Sequence, residues 1–430
     1  MSYAFTVDPN ETKSIKSIVV AGQGYVGLPL AMLAVKCGYK VAGIDTAVDR
    51  VNMISVGNSP VTDVSSEELG SALKTERYRI SDNYTNAGGF DIAVITVPTP
   101  LRDGKPVLSF IEESARSLAG NLTPGSTVIL ESTTYPGTTE EVLAPILEGA
   151  SGLQAGIDFF VGYSPERLDP GNTSWNLANT PKVVSGINPE SLAAVTGFYS
   201  SLGIRTVPVS GTREAEMTKL LENTFRHVNI ALINELAVFS ERLEVNLWEA
   251  IEAAETKPFG FMKFTPGPGV GGHCLPIDPS YLSWAVTKKT GARFRFVELA
   301  NEINAFMPEY VLSRASEIIG KSGKPLGQSS VLIVGLSYKA NTGDTRESPG
   351  LALGKLLEDC GVEVWATDSF VADSEWPQSI LRTNPDDTRE YDLAIIVTAH
   401  SGEDYGWVLS SSTTVLDTRN VLSGANVKLL

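Results

Sequence analysis

A short apolar strand followed at once by a glycine-rich turn constrains the fold of this 430-residue chain more than any other feature. Residues 17–21 read Ser-Ile-Val-Val-Ala, a β-branched run typical of a buried parallel strand, and Gly22-Gln-Gly-Tyr-Val-Gly27 follows directly. An apolar helical pattern then runs to Gly38, and a second predicted strand ends in Asp45. The first glycine permits the tight turn, the second lets backbone N–H groups approach a pyrophosphate, and the third lets the helix pack against the strand. The sequence therefore predicts a dinucleotide-binding α/β domain.

The acidic residue at the end of the second strand indicates which dinucleotide binds. Asp45 can accept hydrogen bonds from the adenosine ribose hydroxyls, and its charge repels the extra phosphate of NADP. NAD is therefore the expected cofactor, although the nearby Arg50 would suit a phosphate. Thr99 and Thr134 end two further apolar runs at the carboxyl edge of the predicted sheet, where either could contact a ligand or simply cap a turn. The residues predicted to bind NAD at these turns are Gly22, Gly24, Tyr25, Val26, Gly27, Asp45, Arg50, Thr99 and Thr134.

Composition excludes several classes of function. The chain carries 34 Lys and Arg against 50 Asp and Glu, a formal charge of −16 with no basic cluster, so we expect no nucleic-acid partner. Its 3 cysteines and 3 histidines are scattered without ligand spacing, so we expect no metal. With no signal pattern and no run of about 18 apolar residues, the sequence predicts a cytoplasmic protein that does not enter the membrane.

A second α/β pattern follows in the last hundred residues. Apolar strands end near Gly335, Asp368, Val397 and Asp417, but no second G-x-G-x-x-G is present, which favours another nucleotide-like ligand or a structural role. The predicted fold class is α/β, with two Rossmann-like, doubly wound parallel-sheet domains joined by a long central helix. The expected division is an N-terminal extension (1–13), an NAD-binding domain (14–210), a central helical domain with a cysteine loop (211–320) and a C-terminal Rossmann-like domain (321–430).

A glycine- and proline-rich loop, residues 265–278, carries Cys274 and, four residues later, Asp278. Glycines allow backbone to approach a ligand closely, while prolines stiffen the segment. This combination favours an exposed nucleophile, and the alternative is a small buried cysteine without reactivity.

Two polar pairs could accompany such a nucleophile. Lys219 and Asn223 are four residues apart in a predicted helix, 212–243, that contains neither glycine nor proline, so they share one face. Glu166 and Arg167 lie in a turn-rich loop after another predicted strand. The alternatives are a solvated helix stripe for the first pair and a surface ion pair for the second.

Together these motifs resemble the UDP-glucose/GDP-mannose dehydrogenase family, over a match that runs from about Lys16 to the end. The motifs that carry the resemblance are Gly22-Gln-Gly-Tyr-Val-Gly-Leu-Pro-Leu-Ala31, Ser164-Pro-Glu-Arg167, Lys219 with Asn223, Gly271-Gly-His-Cys274 with Asp278, and Tyr338-Lys-Ala-Asn-Thr-Gly-Asp-Thr-Arg-Glu-Ser348. The resemblance implies NAD in the first Rossmann-like domain, a UDP-sugar on the last one, and a homodimer or higher homo-oligomer formed by the central helix.

The resemblance also implies a four-electron oxidation of a primary alcohol to an acid. Lys219 and Asn223 resemble the partners of the developing alkoxide, and Asp278 resembles the group that handles the proton. Cys274 would add to the aldehyde, giving a thiohemiacetal and then a thioester. Glu166 resembles the base for thioester hydrolysis.

The implied ligand contacts extend into the second half of the chain. Arg346 is assigned to the cofactor, although it could serve the sugar, and Ala340 stands where many relatives have a second lysine. The implied substrate contacts are Glu166, Arg167, Lys219, Asn223, Gly271, Lys339 and Arg419.

The residues after the cysteine, Leu-Pro-Ile-Asp-Pro, together with 164–172 and 257–262, resemble most the bacterial members that oxidise UDP-N-acetyl-D-glucosamine. UDP-N-acetyl-D-mannosamine and UDP-glucose are the alternative substrates. Two other functions are weighed: a two-electron hydroxyacid-type dehydrogenase, which requires no nucleophile, and a non-catalytic sugar-nucleotide sensor.

Overall fold

The computed structural model describes residues 16–169, 172, 174–272 and 274–430, and at Cys274 it describes the backbone alone. The chain divides into two compact units, the first ending at Lys219 and the second beginning at Leu220. Each unit contains a six-stranded parallel sheet. No helix in the described part of the chain combines the length and apolar content that a bilayer crossing requires.

The sheet of the first unit has the strand order expected of a dinucleotide-binding fold. Its strands are β1 (Ser17–Ala21), β2 (Lys40–Ile44), β3 (Tyr78–Ser81), β4 (Ile92–Ile95), β5 (Thr127–Leu130) and β6 (Phe160–Tyr163). The spatial order is 3-2-1-4-5-6, with every pairing parallel. Ligands of such sheets bind beyond the carboxyl ends of the strands, so this order fixes the edge on which a site can form.

Helices cover both faces of this sheet. Its strands are apolar along their length, as expected for strands that are buried on two sides. Successive β1 residues point into different cores: Ile18 and Val20 pack in one, and Val19 in the other. The helices of the first unit are α1 (Gly27–Lys36), α2 (Val48–Ser55), α3 (Ser66–Lys74), α4 (Ser109–Ala119), α5 (Ala144–Ser151) and α6 (Pro189–Ser201).

The long helix α7 (Thr212–Ser240) begins in the first unit and continues into the second. The sequence predicted this helix with an end at about residue 243. The helices that follow are α8 (Leu247–Glu255), α9 (Cys274–Thr290), α10 (Arg295–Gly320), α11 (Pro349–Asp359) and α12 (Val408–Ser411). The sequence predicted no bounds for α10 beyond placing 211–320 in a central helical domain, and the helix runs through Pro308.

The second sheet repeats the order of the first. Its strands are β7 (Ser330–Val334), β8 (Glu363–Thr367), β9 (Leu381–Arg382), β10 (Tyr391–Ile396), β11 (Ser412–Asp417) and β12 (Val427–Leu429). The spatial order is 9-8-7-10-11-12, again parallel throughout. The predicted fold class, two Rossmann-like parallel-sheet domains with a long central helix, is confirmed.

Candidate active site

In the glycine turn after β1, two glycines have no room for a side chain and one does. Gly22 has φ +93°, and a Cβ there would lie 2.7 Å from the carbonyl oxygen of Thr96. A Cβ on Gly27 would lie 1.8 Å from the carbonyl oxygen of Gly22, so only glycine lets α1 pack this closely. A Cβ on Gly24 would meet no atom within 4 Å beyond its own chain neighbours, so this position of the turn is open to a pyrophosphate.

Asp45 is anchored to this turn and keeps limited acceptor capacity. Its Oδ2 accepts from the backbone N–H of Gln23 at 2.8 Å and from Arg50 at 2.9 Å, while Oδ1 accepts from the N–H of Ala47 at 2.9 Å. A carboxylate offers about four acceptor positions, so one ribose hydroxyl can bond directly. A second hydroxyl requires the half-exposed Arg50 to move.

The turn after β5 is fastened by a buried glutamate that the sequence reading missed. Both carboxylate oxygens of Glu216 accept backbone N–H groups, from Gly137 at 2.5 Å and from Thr139 at 2.8 Å. Burial raises the pKa of Glu216 to about 7, although these hydrogen bonds oppose the rise. The predicted cofactor contact Thr134 is fully buried in this turn and donates to Thr138 at 2.5 Å. Thr99 is also buried.

Lys219 and Glu166 are brought together within the first unit. The Lys219 ammonium donates to the backbone oxygen of Glu166 at 2.7 Å and lies 3.6 Å from its carboxylate. The other Glu166 oxygen accepts from the N–H of Leu168. Arg167 donates to the backbone oxygen of Pro181 at 2.7 Å, which holds this loop in place. Because Lys219 is 5% exposed, the alternative of a solvated helix stripe does not hold.

Asn223, one turn along α7 from Lys219, meets the predicted proton-handling residue within the second unit. Its amide donates to Oδ2 of the buried Asp278 at 2.5 Å. Asp278 lies four residues into α9, whose first residue is Cys274. Helix α9 therefore begins within the segment 265–278 that was expected to be a loop, and Asp278 is a helical residue. Pro276 falls in the first helical turn, where N–H groups have no intrahelical partner in any case. The Cys274 side chain lies outside the described part of the structure.

The glycines before Cys274 serve packing against the protein itself. A Cβ on Gly267 would lie 2.6 Å from the guanidinium of Arg419. A Cβ on Gly271 would lie 2.8 Å from the Cβ of Tyr338, and one on Gly272 would lie 2.5 Å from that ring. The sequence reading assigned these glycines to close approach of a ligand. The structure gives another reason for glycine at all three positions, because a side chain of the protein itself, Arg419 or Tyr338, lies where a Cβ would be.

The predicted cations of the second unit differ in how firmly they are held. Arg419 donates to the backbone oxygen of Val397 at 2.7 Å, and it keeps its charge at neutral pH although desolvation lowers its pKa to about 10. Arg346 is exposed and binds the carboxylate of Asp344 at 2.5 Å. Lys339 is half-buried. In the described residues no cluster of His, Cys, Asp or Glu is arranged to hold a metal ion.

A second charged cluster that the sequence reading missed lies beneath the Glu166 loop. The Lys182 ammonium lies 3.1 Å from the Glu131 carboxylate, and both side chains are buried. Tyr199 donates to the same carboxylate, and Lys182 also lies 3.4 Å from the backbone oxygen of Pro165. Because Glu131, Lys182 and Tyr199 belong to separate segments, no local motif signals their meeting.

A glycine turn of the NAD-binding type in one unit and a second Rossmann-like domain with half-buried cations are typical of a nucleotide-dependent dehydrogenase, and comparisons with known proteins agree. The NAD binding domain of the UDP-glucose/GDP-mannose dehydrogenase family matches residues 16–202. The central domain of that family matches 213–306, and its UDP binding domain matches 332–424.

Whole-chain relatives support the same assignment. UDP-N-acetyl-D-mannosamine dehydrogenase of Pyrococcus horikoshii is 36% identical over 82% of this chain and 84% of its own. UDP-N-acetyl-D-glucosamine 6-dehydrogenase of Pseudomonas aeruginosa is 34% identical over 89% of this chain and 90% of its own. The solved structure of the UDP-D-ManNAc dehydrogenase from P. horikoshii superposes with a TM-score of 0.86 at 31% identity, covering 96% of this chain and 98% of that one.

The chain therefore belongs to the UDP-glucose/GDP-mannose dehydrogenase family, as the sequence motifs predicted. It is an NAD-dependent dehydrogenase of a UDP-sugar. The predicted cofactor is confirmed by the NAD binding domain.

Proposed function

We propose that this protein oxidises the C6 primary alcohol of a UDP-N-acetylhexosamine to the uronic acid, through a thioester on Cys274. One alcohol, two NAD⁺ and one water give one carboxylate, two NADH and three protons. The observation that carries the proposal is the pairing of Lys219 with Glu166 in the first unit and, in the second, of Asn223 with Asp278, which lies four residues after Cys274. A two-electron dehydrogenase has no use for these groups together with a nucleophile.

The chemistry that bound NAD would supply is acceptance of the hydride that leaves C6 in each of the two oxidations. The residues present fit it: the turn is open at Gly24, and Asp45 keeps one acceptor position for a ribose hydroxyl. We assign Arg346 to the cofactor from the resemblance alone.

In the first step, Lys219 and Asn223 stabilise the developing alkoxide, since both present N–H donors where Coulombic interactions are strong. Asp278 accepts the hydroxyl proton, directly or through a water. Its hydrogen bond from Asn223 keeps the carboxylate oriented toward that amide.

In the second step, the Cys274 thiolate adds to the aldehyde. Cys274 is the first residue of α9, and the thiolate is the form of a cysteine that acts as a nucleophile. After the thioester forms, Glu166 activates the water that releases the acid, with the Lys219 ammonium 3.6 Å from its carboxylate.

For the sugar, Lys339 and Arg419 supply positive charge in an acidic protein, with Arg167 and Gly271 as further contacts by resemblance. UDP-N-acetyl-D-glucosamine is the first candidate, on the Cys-Leu-Pro-Ile-Asp-Pro motif and the 34% identical Pseudomonas enzyme. UDP-N-acetyl-D-mannosamine is the second, on the 36% identical Pyrococcus enzyme. The two sugars differ only in configuration at C2.

The exposed apolar side of the central helices supports a homodimer as the working form. Large side chains exposed on one face of α7 are Leu221, Phe225, Leu232, Leu236, Phe239 and Leu243 just beyond its end. Helix α10 adds exposed Phe296, Leu299 and Phe306. Large apolar side chains exposed along one helix face are typical of interaction surfaces. The two exposed thiols, Cys37 and Cys360, suit a reducing cytoplasm.

The test is NADH formed per sugar consumed, measured with UDP-N-acetylglucosamine, UDP-N-acetylmannosamine, UDP-N-acetylgalactosamine and UDP-glucose. We expect two NADH per sugar with one of the first two and little turnover of UDP-glucose. One NADH per turnover with an aldehyde or ketone as final product would contradict the four-electron reaction. Binding of UDP-sugar and NAD without turnover would instead indicate a sensor.

A further inference from the structure

A chain of buried polar side chains links α7, α10 and the segment around Cys274 inside the second unit. Its central members are His227 and Asn234 on α7 and Asn304 on α10, which are 2%, 0% and 5% exposed. Burying such groups costs free energy unless each is hydrogen-bonded, so their pattern of donors and acceptors is tightly constrained. The proposed reaction assigns none of them a role.

The upstream half of this chain begins at a backbone group that can only donate. The N–H of Gly267 donates to Oδ1 of Asn234 at 2.9 Å, which fixes the orientation of that amide. The Asn234 Nδ2 therefore donates to Oδ1 of Asn304, also at 2.9 Å. The Asn304 Nδ2 then points at His227, 3.3 Å from its backbone oxygen and 3.3 Å from Nδ1.

The downstream half follows from the tautomer that this arrangement imposes. Since Nδ1 of His227 faces an amide donor, it must accept, and the proton sits on Nε2. Nε2–H donates to Oδ1 of Asn301 at 2.8 Å. The Asn301 amide donates to the hydroxyl of Ser280 at 3.4 Å, and that hydroxyl donates to the backbone oxygen of Pro276 at 3.1 Å.

Every donor in the chain points the same way, from Gly267 to Pro276. The two ends are backbone groups of opposite type, a donor and an acceptor, so the assignment of each amide is consistent along its length. Burial lowers the pKa of His227, although the hydrogen bond to Asn301 opposes this effect. The neutral ring that the chain requires is therefore also the one that its surroundings favour.

The two ends of the chain lie on either side of Cys274. Gly267 precedes the cysteine by seven residues and Pro276 follows it by two. Both flanks are thereby tied to α7, the helix that carries Lys219 and Asn223. Misplacement of a reacting group by about 1 Å can cost roughly 100-fold in rate, so such a tie has functional value.

We infer that His227, as the neutral Nε2–H tautomer, is a positioning residue that holds both flanks of Cys274 through Asn304 and Asn234 on one side and Asn301 and Ser280 on the other. This inference rests on the proposed covalent role of Cys274. The ring acts through its neighbours and touches no reacting atom.

Three substitutions at His227 test the two halves of the hydrogen-bond chain separately. In His227→Asn the amide can reach the position of Nδ1, so the link to Asn304 is kept and the link to Asn301 is lost. In His227→Gln the amide can reach the position of Nε2, so the opposite half is kept. His227→Leu removes both side-chain links and leaves only the bond from the Asn304 amide to the backbone oxygen of residue 227. The matched control is Asn229→Ala on the same helix, since the Asn229 amide donates to the backbone oxygen of Phe225 and is not a member of the hydrogen-bond chain.

The primary measurement is hydrogen–deuterium exchange of the full-length protein, read in peptides before and after Cys274. His227→Asn should speed exchange about tenfold or more in residues 275–284 alone, His227→Gln in residues 264–270 alone, and His227→Leu in both, because each link protects its own segment. Asn229→Ala should change neither. Selective ¹⁵N labelling of the three histidines should show His227 protonated at Nε2.

Kinetics supply the second measurement. In all three variants kcat should fall about tenfold or more while KM for NAD changes less than about twofold, since the tie acts on the reacting geometry and not on cofactor binding. The inference would be overturned if exchange rose uniformly through the second unit or did not change. A His227 ring protonated at Nδ1 would overturn it as well. The exchange pattern does not depend on turnover, so failure of the proposed reaction would appear separately, in the NADH stoichiometry of the unmodified enzyme.

Discussion

At the scale of single residues, the candidate site is built on two lysines that hold one loop. Lys219 donates to the backbone oxygen of Glu166, and Lys182 lies against that of the preceding Pro165. The Lys182–Glu131 pair is buried, and such pairs contribute little net stability compared with apolar replacements of similar volume. Their value here is geometric, because they fix the backbone from which the Glu166 carboxylate projects.

Glu166→Gln should separate oxidation from hydrolysis. The glutamine cannot take a proton from water, so turnover should fall by about 10²–10⁴-fold, the usual contribution of a general base. A first burst of two NADH per active site should remain, with the uronyl group bound to the protein. Stopped-flow absorbance and intact-protein mass spectrometry measure both effects. Loss of the burst together with turnover would place Glu166 in an oxidation step instead.

Glu216 should make the stability of the first unit depend on pH. Its folded-state pKa of about 7 lies above the ordinary value of 4.5, so the folded protein favours the protonated form. Stability from this group is therefore fully present below about pH 4.5 and is lost as pH rises through 7, by up to roughly 3 kcal/mol.

Glu216→Gln should remove that dependence. The melting-temperature difference between wild type and variant, measured from pH 5 to 8, should shift against the wild type as pH rises. Glu214→Gln, at an exposed position of the same helix, is the matched control. A difference that stays constant across this range would show that Glu216 is ionised throughout.

At the scale of secondary structure, helix α7 reverses the usual relation of polarity and burial. Its polar residues Glu216, Lys219, His227 and Asn234 are buried, whereas Leu221, Leu232 and Leu236 are exposed. The spacing of 216, 219, 223 and 227 is that of one helix face, although only 219 and 223 were predicted from the sequence to share it. The sequence pattern did not determine which helix face is buried, because burial depends on what packs against the helix.

The glycine segment before Cys274 gives a prediction about local packing. Gly272→Ala should destabilise the second unit by about 1–3 kcal/mol or more, because alanine is strained at φ +81° and its Cβ would lie 2.5 Å from the Tyr338 ring. Gly402→Ala is the matched control, since Gly402 has φ +82° with open space around it and reports the backbone strain alone. Denaturant unfolding measures both, and equal losses would show that the ring moves aside freely.

At the scale of the whole chain, the two units share a strand order. They differ in how many hydrogen bonds the aspartate after the second strand already accepts. Asp45 keeps an acceptor position, but the matching Asp368 does not. It accepts from the backbone N–H groups of Leu336, Ser337 and Phe370 and from His400. Burial alone would raise its pKa, but the His400 bond and the backbone bonds outweigh this and lower it to about 2. This carboxylate cannot bind a ribose as Asp45 can.

The proposed dimer is tested on the exposed face of α7. Leu236→Glu should convert the dimer to monomer, since it places a charge on a side chain that is 45% exposed among other exposed apolar residues. Light scattering after size-exclusion chromatography measures the mass, with Val56→Glu as a control on a separate exposed site. A wild type that is monomeric at micromolar concentration would contradict the proposal.

The sequence by itself determined the two αβ patterns, the NAD turn and the family, because a strand, three glycines and a terminal acid are local features with local physical causes. It also supplied the candidate residues Glu166, Lys219, Asn223 and Asp278. Only the tertiary structure decided that Lys219 is buried against Glu166, that Asp368 is saturated, and that His227 stands in a directed hydrogen-bond chain. These facts depend on donors and acceptors brought together from distant segments, and no spacing along the chain encodes such meetings.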